Sequence, residues 1–205
     1  MKDGSRINKV LEKMTLFELK ENLEYLEIAF GDVTRISKNT GKNLAQELVS
    51  RKYDETKLSM ALRTLFRQAE LDVNHKDKNG LNFVQIAIKT GYSQKFICDC
   101  IRQTLALNID INHKDNKGNT MLHTAVEANN FKDPFVDILK LVDVYGFDSH
   151  SKNSDGKEFS DLLFESTKYD QNTKMKCIKE MYDIVARPKN LIIHHPRPKM
   201  APKKQ

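Results

Sequence analysis

Asp110-Ile-Asn-His-Lys-Asp-Asn-Lys-Gly-Asn-Thr-Met-Leu-His-Thr-Ala-Val126 decides how this chain is read. Its first half is a polar turn, Asp115-Asn116-Lys117-Gly118, ending in the residue that takes a positive φ without a Cβ clash. Its second half starts a helix. Thr120 is placed to cap it, and Leu122, Ala125 and Val126 fall on one face.

The same pattern recurs along the chain. Gly80 lies 38 residues before Gly118 and Gly156 lies 38 after, while Gly41 and Gly4 continue the series at intervals of 39 and 37. Three residues beyond each glycine stands an apolar residue: Ile7, Leu44, Phe83, Met121, Phe159. Seven beyond stands Leu11, Leu48, Ala87, Ala125 or Leu163. A period of this size signals a stacked repeat, in which units too small to bury their own apolar face share a core with their neighbours.

Thr120-Met-Leu-His-Thr-Ala125 carries a resemblance. It differs from the ankyrin motif Thr-Pro-Leu-His-x-Ala only in Met121, and with the preceding Asp115-x-x-Gly118 turn it resembles an ankyrin repeat. The unit around Gly80 keeps the apolar skeleton as Leu-Asn-Phe-Val-Gln-Ile-Ala, and those at Gly4 and Gly156 are degenerate, as end caps tend to be. The resemblance implies an all-α, ankyrin-type helical repeat solenoid. It has about five units, near 1–31, 32–71, 72–109, 110–147 and 148–186. The period exceeds the usual value of about 33. The extra residues belong either to the loop between the helices or to a longer second helix.

Individual helices are legible within this frame. Thr15 and Glu18 form a capping-box pair ahead of Leu19, Leu23 and Leu26. Asp54 precedes the stripe Leu58, Ala61, Leu62, Leu65. Phe96, Ile97, Cys100, Ile101 and Leu105 form another stripe, and Pro134 leads into Val136, Ile138, Leu139 and Val142. Lys168–Lys176 reads as a polar loop before Cys177, Ile178, Met181 and Val185.

Composition sets the outer bounds. Hydrophobic residues make up 39% and charged residues 30%, as in a folded soluble domain. No apolar run approaches the roughly 20 residues of a membrane span, and Met-Lys-Asp-Gly-Ser-Arg has no apolar leader core. Three cysteines, Cys98, Cys100 and Cys177, suit a reducing compartment, cytoplasmic or nuclear. The net charge of +6 equals the six Lys and Arg of residues 187–205, a proline-rich segment without an acid, so the remainder is formally neutral. That tail reads as a flexible end, available to nucleic acid, import machinery or an acidic partner, or simply aiding solubility.

Catalytic and metal signatures are missing from the sequence. Turns of successive units stand roughly 10 Å apart, so His75, His113 and His150 cannot share an ion held at about 2 Å; they read as polar turn residues. Cys98 and Cys100 face different directions on a helix, and Cys100 belongs to its apolar stripe. His194-His195 has no Cys or acid nearby. His123 is the motif histidine, for which the resemblance implies a structural bond to backbone. No cofactor, metal or catalytic residue is expected.

The resemblance instead implies a protein-binding surface of turn tips and the exposed side of each first helix. By position this surface holds Lys76, Lys78, Asn79, Leu81 and Lys89, then Lys114, Asn116, Lys117, Asn119 and Glu127, then Lys152, Ser154, Asp155 and Lys157. Its basic and amide character fits an acidic or polar protein partner; the plain reading is a solvated edge. The expected function is a non-enzymatic interaction module, an adaptor or inhibitor. One alternative is a constitutive inhibitor of a transcription factor, similar to the ankyrin-type inhibitors of NF-κB, as a viral or pathogen mimic; their Asp-Ser-Gly-x-x-Ser degradation motif is not in this sequence. Another is a nuclear or chromatin-associated regulator using the basic tail. No membrane or small-molecule partner is expected.

Overall fold

The computed structural model describes residues 9–15, 18, 32–68, 70–128 and 136–186. Gly4 and most of its unit, including most of the helix after Thr15, together with Pro134 and the tail 187–205, lie outside these residues. Among the described residues the chain is all-helical, without a strand. A short helical stretch, 9–13, buries Val10 and Leu11, and beyond residue 43 the described residues form eight helices. They are α1 (Leu44–Val49), α2 (Glu55–Leu65), α3 (Phe83–Thr90), α4 (Gln94–Leu105), α5 (Met121–Ala128), α6 (Val136–Asp143), α7 (Phe159–Glu165) and α8 (Gln171–Val185).

The helices build two layers. The odd-numbered, inner helices pack in chain order, α1 on α3 on α5 on α7, and the outer helices likewise, α2 on α4 on α6 on α8. Ala45, Leu58, Leu62, Val84, Ala87, Ile97, Leu122, Ile138 and Leu163 make a continuous buried core between them. Outer helices are the longer partners in three units, at 11, 12 and 15 residues against 6, 8 and 7. The longer second helix thus absorbs part of the extended period.

A tight turn, here called a finger, precedes each inner helix. Gly41, Gly80, Gly118 and Gly156 all sit at positive φ, from 70° to 75°. An Asx turn holds the finger shape: Asp77 Oδ1 accepts from the N–H groups of Asn79 and Leu81, and Asp115 Oδ1 from those of Lys117 and Asn119. Successive fingers then join by backbone bonds, Asn116 N to Asn79 O at 3.1 Å and Ser154 N to Lys117 O at 2.9 Å.

Two expectations about local structure are sharpened or reversed. Thr15 and Glu18 do close a reciprocal box: Thr15 N donates to Glu18 Oε2 at 2.7 Å and Glu18 N to Thr15 Oγ1 at 3.2 Å. Lys168–Lys176, however, is not a loop throughout, because α8 begins at Gln171, where Asp170 caps it by accepting from Thr173 N at 2.8 Å. The first turns of α8 are exposed or half-buried and lack an apolar stripe, which is why they read as polar loop. Farther along, Ile184 is a buried residue of that helix.

The glycines separate backbone strain from crowding. A Cβ on Gly118 would stand 2.8 Å from Ser154 N in the next finger, whereas a Cβ on Gly156 meets nothing within 4 Å. Gly156→Ala therefore costs only the left-handed backbone term, about 1–2 kcal/mol. Gly118→Ala adds overpacking of about 1–3 kcal/mol. Urea unfolding of the two variants checks this; equal losses would mean that the fingers are not in contact.

Candidate interaction surface

The surface is positioned by side chains five residues after the finger glycines Gly41, Gly80 and Gly118. These are Gln46, Gln85 and His123, all fully buried. Each occupies the N3 position of its inner helix and closes the helix start backward: Gln46 Oε1 accepts from Asn43 N at 2.9 Å, and Gln85 Oε1 from Asn82 N at 3.2 Å. The other end of each side chain donates forward to the next unit. Gln46 Nε2 reaches Leu81 O at 2.9 Å, Gln85 Nε2 reaches Asn119 O at 2.8 Å, and His123 Nε2 reaches Lys157 O at 2.9 Å. Since a carbonyl only accepts, His123 carries its proton on Nε2. Its Nδ1 faces the Thr120 hydroxyl at 2.8 Å and the Thr120 N–H at 3.3 Å. The Thr120 hydroxyl, expected as a simple cap, is thus turned to the imidazole.

Turn residues add further bridges. His75 Nε2 donates to Gly41 O and His113 Nε2 to Gly80 O, both at 2.6 Å. These polar turn histidines thus tie their units to the preceding one. His150 does not belong with them. It falls in the register of Asn74 and Asn112, whose side chains grip the following unit through Asp110 N at 2.7 Å and Asp148 N at 2.8 Å. His150 instead approaches Glu158 Oε2 at 3.2 Å. Among the described residues no group of three or more His, Cys, Asp or Glu side chains is placed to hold a metal. Burial pushes the Cys98 thiol up to about 11 and Cys177 to about 12, and Cys100 is raised as well. All three are buried free thiols. Among the described residues no helix is long and apolar enough to cross a membrane.

The residues expected to meet a partner fall into two groups. Lys76, Lys78, Asn79, Lys89, Lys114, Asn116, Lys117, Glu127, Lys152, Ser154 and Asp155 are exposed, and Lys157 is half-buried. Leu81 and Asn119, each the residue after its finger glycine, are interior, 6% and 1% exposed. Asn119 is moreover engaged: its Nδ2 donates to Glu127 Oε1 at 3.1 Å and its Oδ1 accepts from Asn153 Nδ2 at 3.1 Å. Lys114 lies along the edge, donating to Lys152 O at 2.8 Å, and Asn116 Nδ2 donates to Lys78 O at 3.1 Å. Lys157 pairs with Glu165 at 2.5 Å, and that carboxylate holds its ammonium above the ordinary lysine range.

The structure gathers Lys78, Asn79, Leu81 and Lys89 at one place, an open groove of about 490 Å³ where the finger of α3 meets that of α1. Its wall is completed by Asn39, Thr40, Lys42, Ser50, Asp77, Ile86 and Thr90. Sequence reasoning missed Lys42 and Ser50, although they stand one and nine residues after Gly41, in the registers of Leu81 and Lys89 after Gly80. Lys76, Lys114 and Lys152 are outside this groove.

No protein-family model matches the sequence, and no curated protein matches it.

Burial, the largest cause, depresses the His123 pKa below its ordinary value. An unfolded histidine titrates near about 6.5, so the folded chain binds its proton less readily. The stability this group contributes is complete above about pH 6.5 and is lost as pH falls through the depressed folded value. His123→Gln, which copies the residue found at Gln46 and Gln85, is expected to hold stability at pH 7 to within about 1 kcal/mol and to flatten the acid loss. Urea midpoints between pH 7 and pH 5 check it; an unchanged acid slope in the variant would assign that loss to another group.

Proposed function

We propose that this chain is an ankyrin-type helical repeat that acts without catalysis, presenting its fingers and inner helices as a rigid face for a partner protein. The observation that carries the reading is the recurrence of one set of forward bonds from Gln46, Gln85 and His123. Such bonds hold successive fingers in register, so side chains at equivalent positions form a row of fixed spacing. A row of this kind suits an extended or helical surface far better than a small substrate, which needs groups converging on a point. The Thr120-Met-Leu-His-Thr-Ala125 motif supports the family assignment, since its histidine makes the backbone bond that the resemblance implies. Rigidity lowers the ordering cost of association, which is how a scaffold of this sort gains affinity. An adaptor and an inhibitor differ only in what the bound surface would otherwise do.

Photo-crosslinking tests the reading. A benzophenone side chain is placed at Asn79 or Lys89 on the inner face, and at Arg102 or Lys179 on the outer helices, in the intact chain and in one ending at residue 186. The expected outcome is partner adducts from Asn79 and Lys89 in both chains. Adducts confined to the outer positions, or lost when residues 187–205 are removed, would contradict it, and the second result would favour the tail.

A further inference from the structure

We propose that the end face of the fifth unit, made by α7 and α8, is a self-association site on which a second copy of this chain docks by two-fold symmetry. The proposal goes beyond the interaction-module reading and does not rest on it, because the inner face and the end face are different surfaces.

The argument starts from registers that are buried in the earlier units and open in the fifth. Eight residues after the finger glycine stand Val49, Ile88 and Val126, all buried, and then Phe164, 61% exposed. Counting from the first residue of each outer helix gives the same result. Seven residues on, Leu62 and Ile101 are fully buried and Ile178 is half-buried. Eleven residues on, Phe66 is buried, Leu105 is half-buried and Tyr182 is 72% exposed. The buried Cys98 of α4 has as its counterpart in α8 Met175, 54% exposed. Met175, Ile178 and Tyr182 follow the i, i+3, i+7 spacing of one helix face. The core is met by another face of the same helix, which carries Cys177 and Ile184. So α8 has two apolar stripes, and the core takes one.

What covers such a face follows from the stack itself. In both layers each helix packs on its predecessor, and among the described residues no helix follows α7 or α8 in its layer. The end face thus continues the surface by which the units pack on one another, and helices of this same repeat are what that surface takes. A unit that closes a stack ordinarily turns a polar face outward, whereas clustered apolar exposure marks an association site. The polar registers choose the geometry. Head-to-tail addition would repeat the internal contact, including the forward donation from the N3 residue. In α7 that residue is Asp161, whose carboxylate has no proton to give and whose Oδ2 accepts from Glu158 N at 2.9 Å. A two-fold contact sets one patch against itself and needs no such donor. Charge allows it. The two helices carry three lysines and four acids, and of the acids Glu165 is held by Lys157 and Glu180 by Lys140. A face so balanced does not repel its copy. The longer helix spans about 22 Å and the pair is about 20 Å wide. That is smaller than the standard face of about 800 Å² per partner, which suits a reversible dimer rather than an obligate one.

Sedimentation velocity tests this on the full chain from micromolar to submillimolar concentration. The weight-average mass is expected to rise from 23.7 kDa to a plateau at twice that value. Phe164→Glu and Tyr182→Glu are each expected to weaken the dimer about tenfold or more. Ile36→Glu, at an exposed apolar position in the first described finger, is expected to change it by under about twofold. Circular dichroism confirms that each variant folds. A mass that stays at the monomer value throughout, or a dimer unaffected by Phe164→Glu and Tyr182→Glu, overturns the proposal. A mass that climbs past the dimer without a plateau overturns the two-fold geometry. A chain ending at residue 186 is expected to dimerise as the full chain does. A dimer formed by only one of the two chains overturns the proposal: if only by the shorter, residues 187–205 are the occupant of the face, and if only by the longer, they make the contact.

Discussion

Everything in this molecule depends on a buried side chain that points two ways. At the start of each of α1, α3 and α5 the N3 residue closes its own helix and donates to a carbonyl of the next unit, 34 or 35 residues on. A single buried neutral hydrogen bond contributes only about 1 kcal/mol net, but leaving its partner unmet costs about 1–3 kcal/mol. The carbonyls of Leu81, Asn119 and Lys157 each also accept from a backbone N–H of their own finger, that of Asp77, Asp115 and Asn153, so what undocking leaves unmet is the buried donor of Gln46, Gln85 or His123. Hydrophobic burial between the layers supplies most of the driving force, and these bonds select one register for it.

Outer helices repeat the logic with different chemistry. Glu55, at the start of α2, accepts from Ser93 N at 2.7 Å, and Gln94, at the start of α4, accepts from Asp137 N at 2.9 Å. The fifth unit departs from the pattern at several registers. Asp161 stands where Gln46, Gln85 and His123 stand in the earlier units, and a carboxylate has no proton to donate. Phe164 is 61% exposed, although its counterparts Val49, Ile88 and Val126 are buried.

Much of this was legible in the sequence because glycine and apolar spacing report backbone shape and burial directly. The finger glycines, the stripes of α2 and α4 and the Thr15–Glu18 box were all readable, and the backbone role of His123 was implied by the resemblance of its motif. Gln46 and Gln85 were not, because a polar letter in an amphipathic helix reads as solvent-facing unless its partner in the next unit is known. The groove was only half legible. Lys78 and Lys89 lie in exposed registers, but the pairing of Asn119 with Glu127 and of Lys157 with Glu165 joins side chains eight residues apart, which spacing alone does not report. The polar first turns of α8 looked like loop because the stripe that marks a helix is missing there.

On the proposed reading, function is a consequence of this register: a stack held rigidly enough that its inner face can be recognised as a unit. The most direct test of the forward bonds is proton exchange by NMR at the three side chains. The account predicts that the amide protons of Gln46 Nε2 and Gln85 Nε2 and the Nε2 proton of His123 are protected as strongly as the backbone of α3, with His123 in its Nε2-protonated form at pH 7. Exchange at the rate of a solvent-exposed side chain, or a His123 proton on Nδ1, would contradict it.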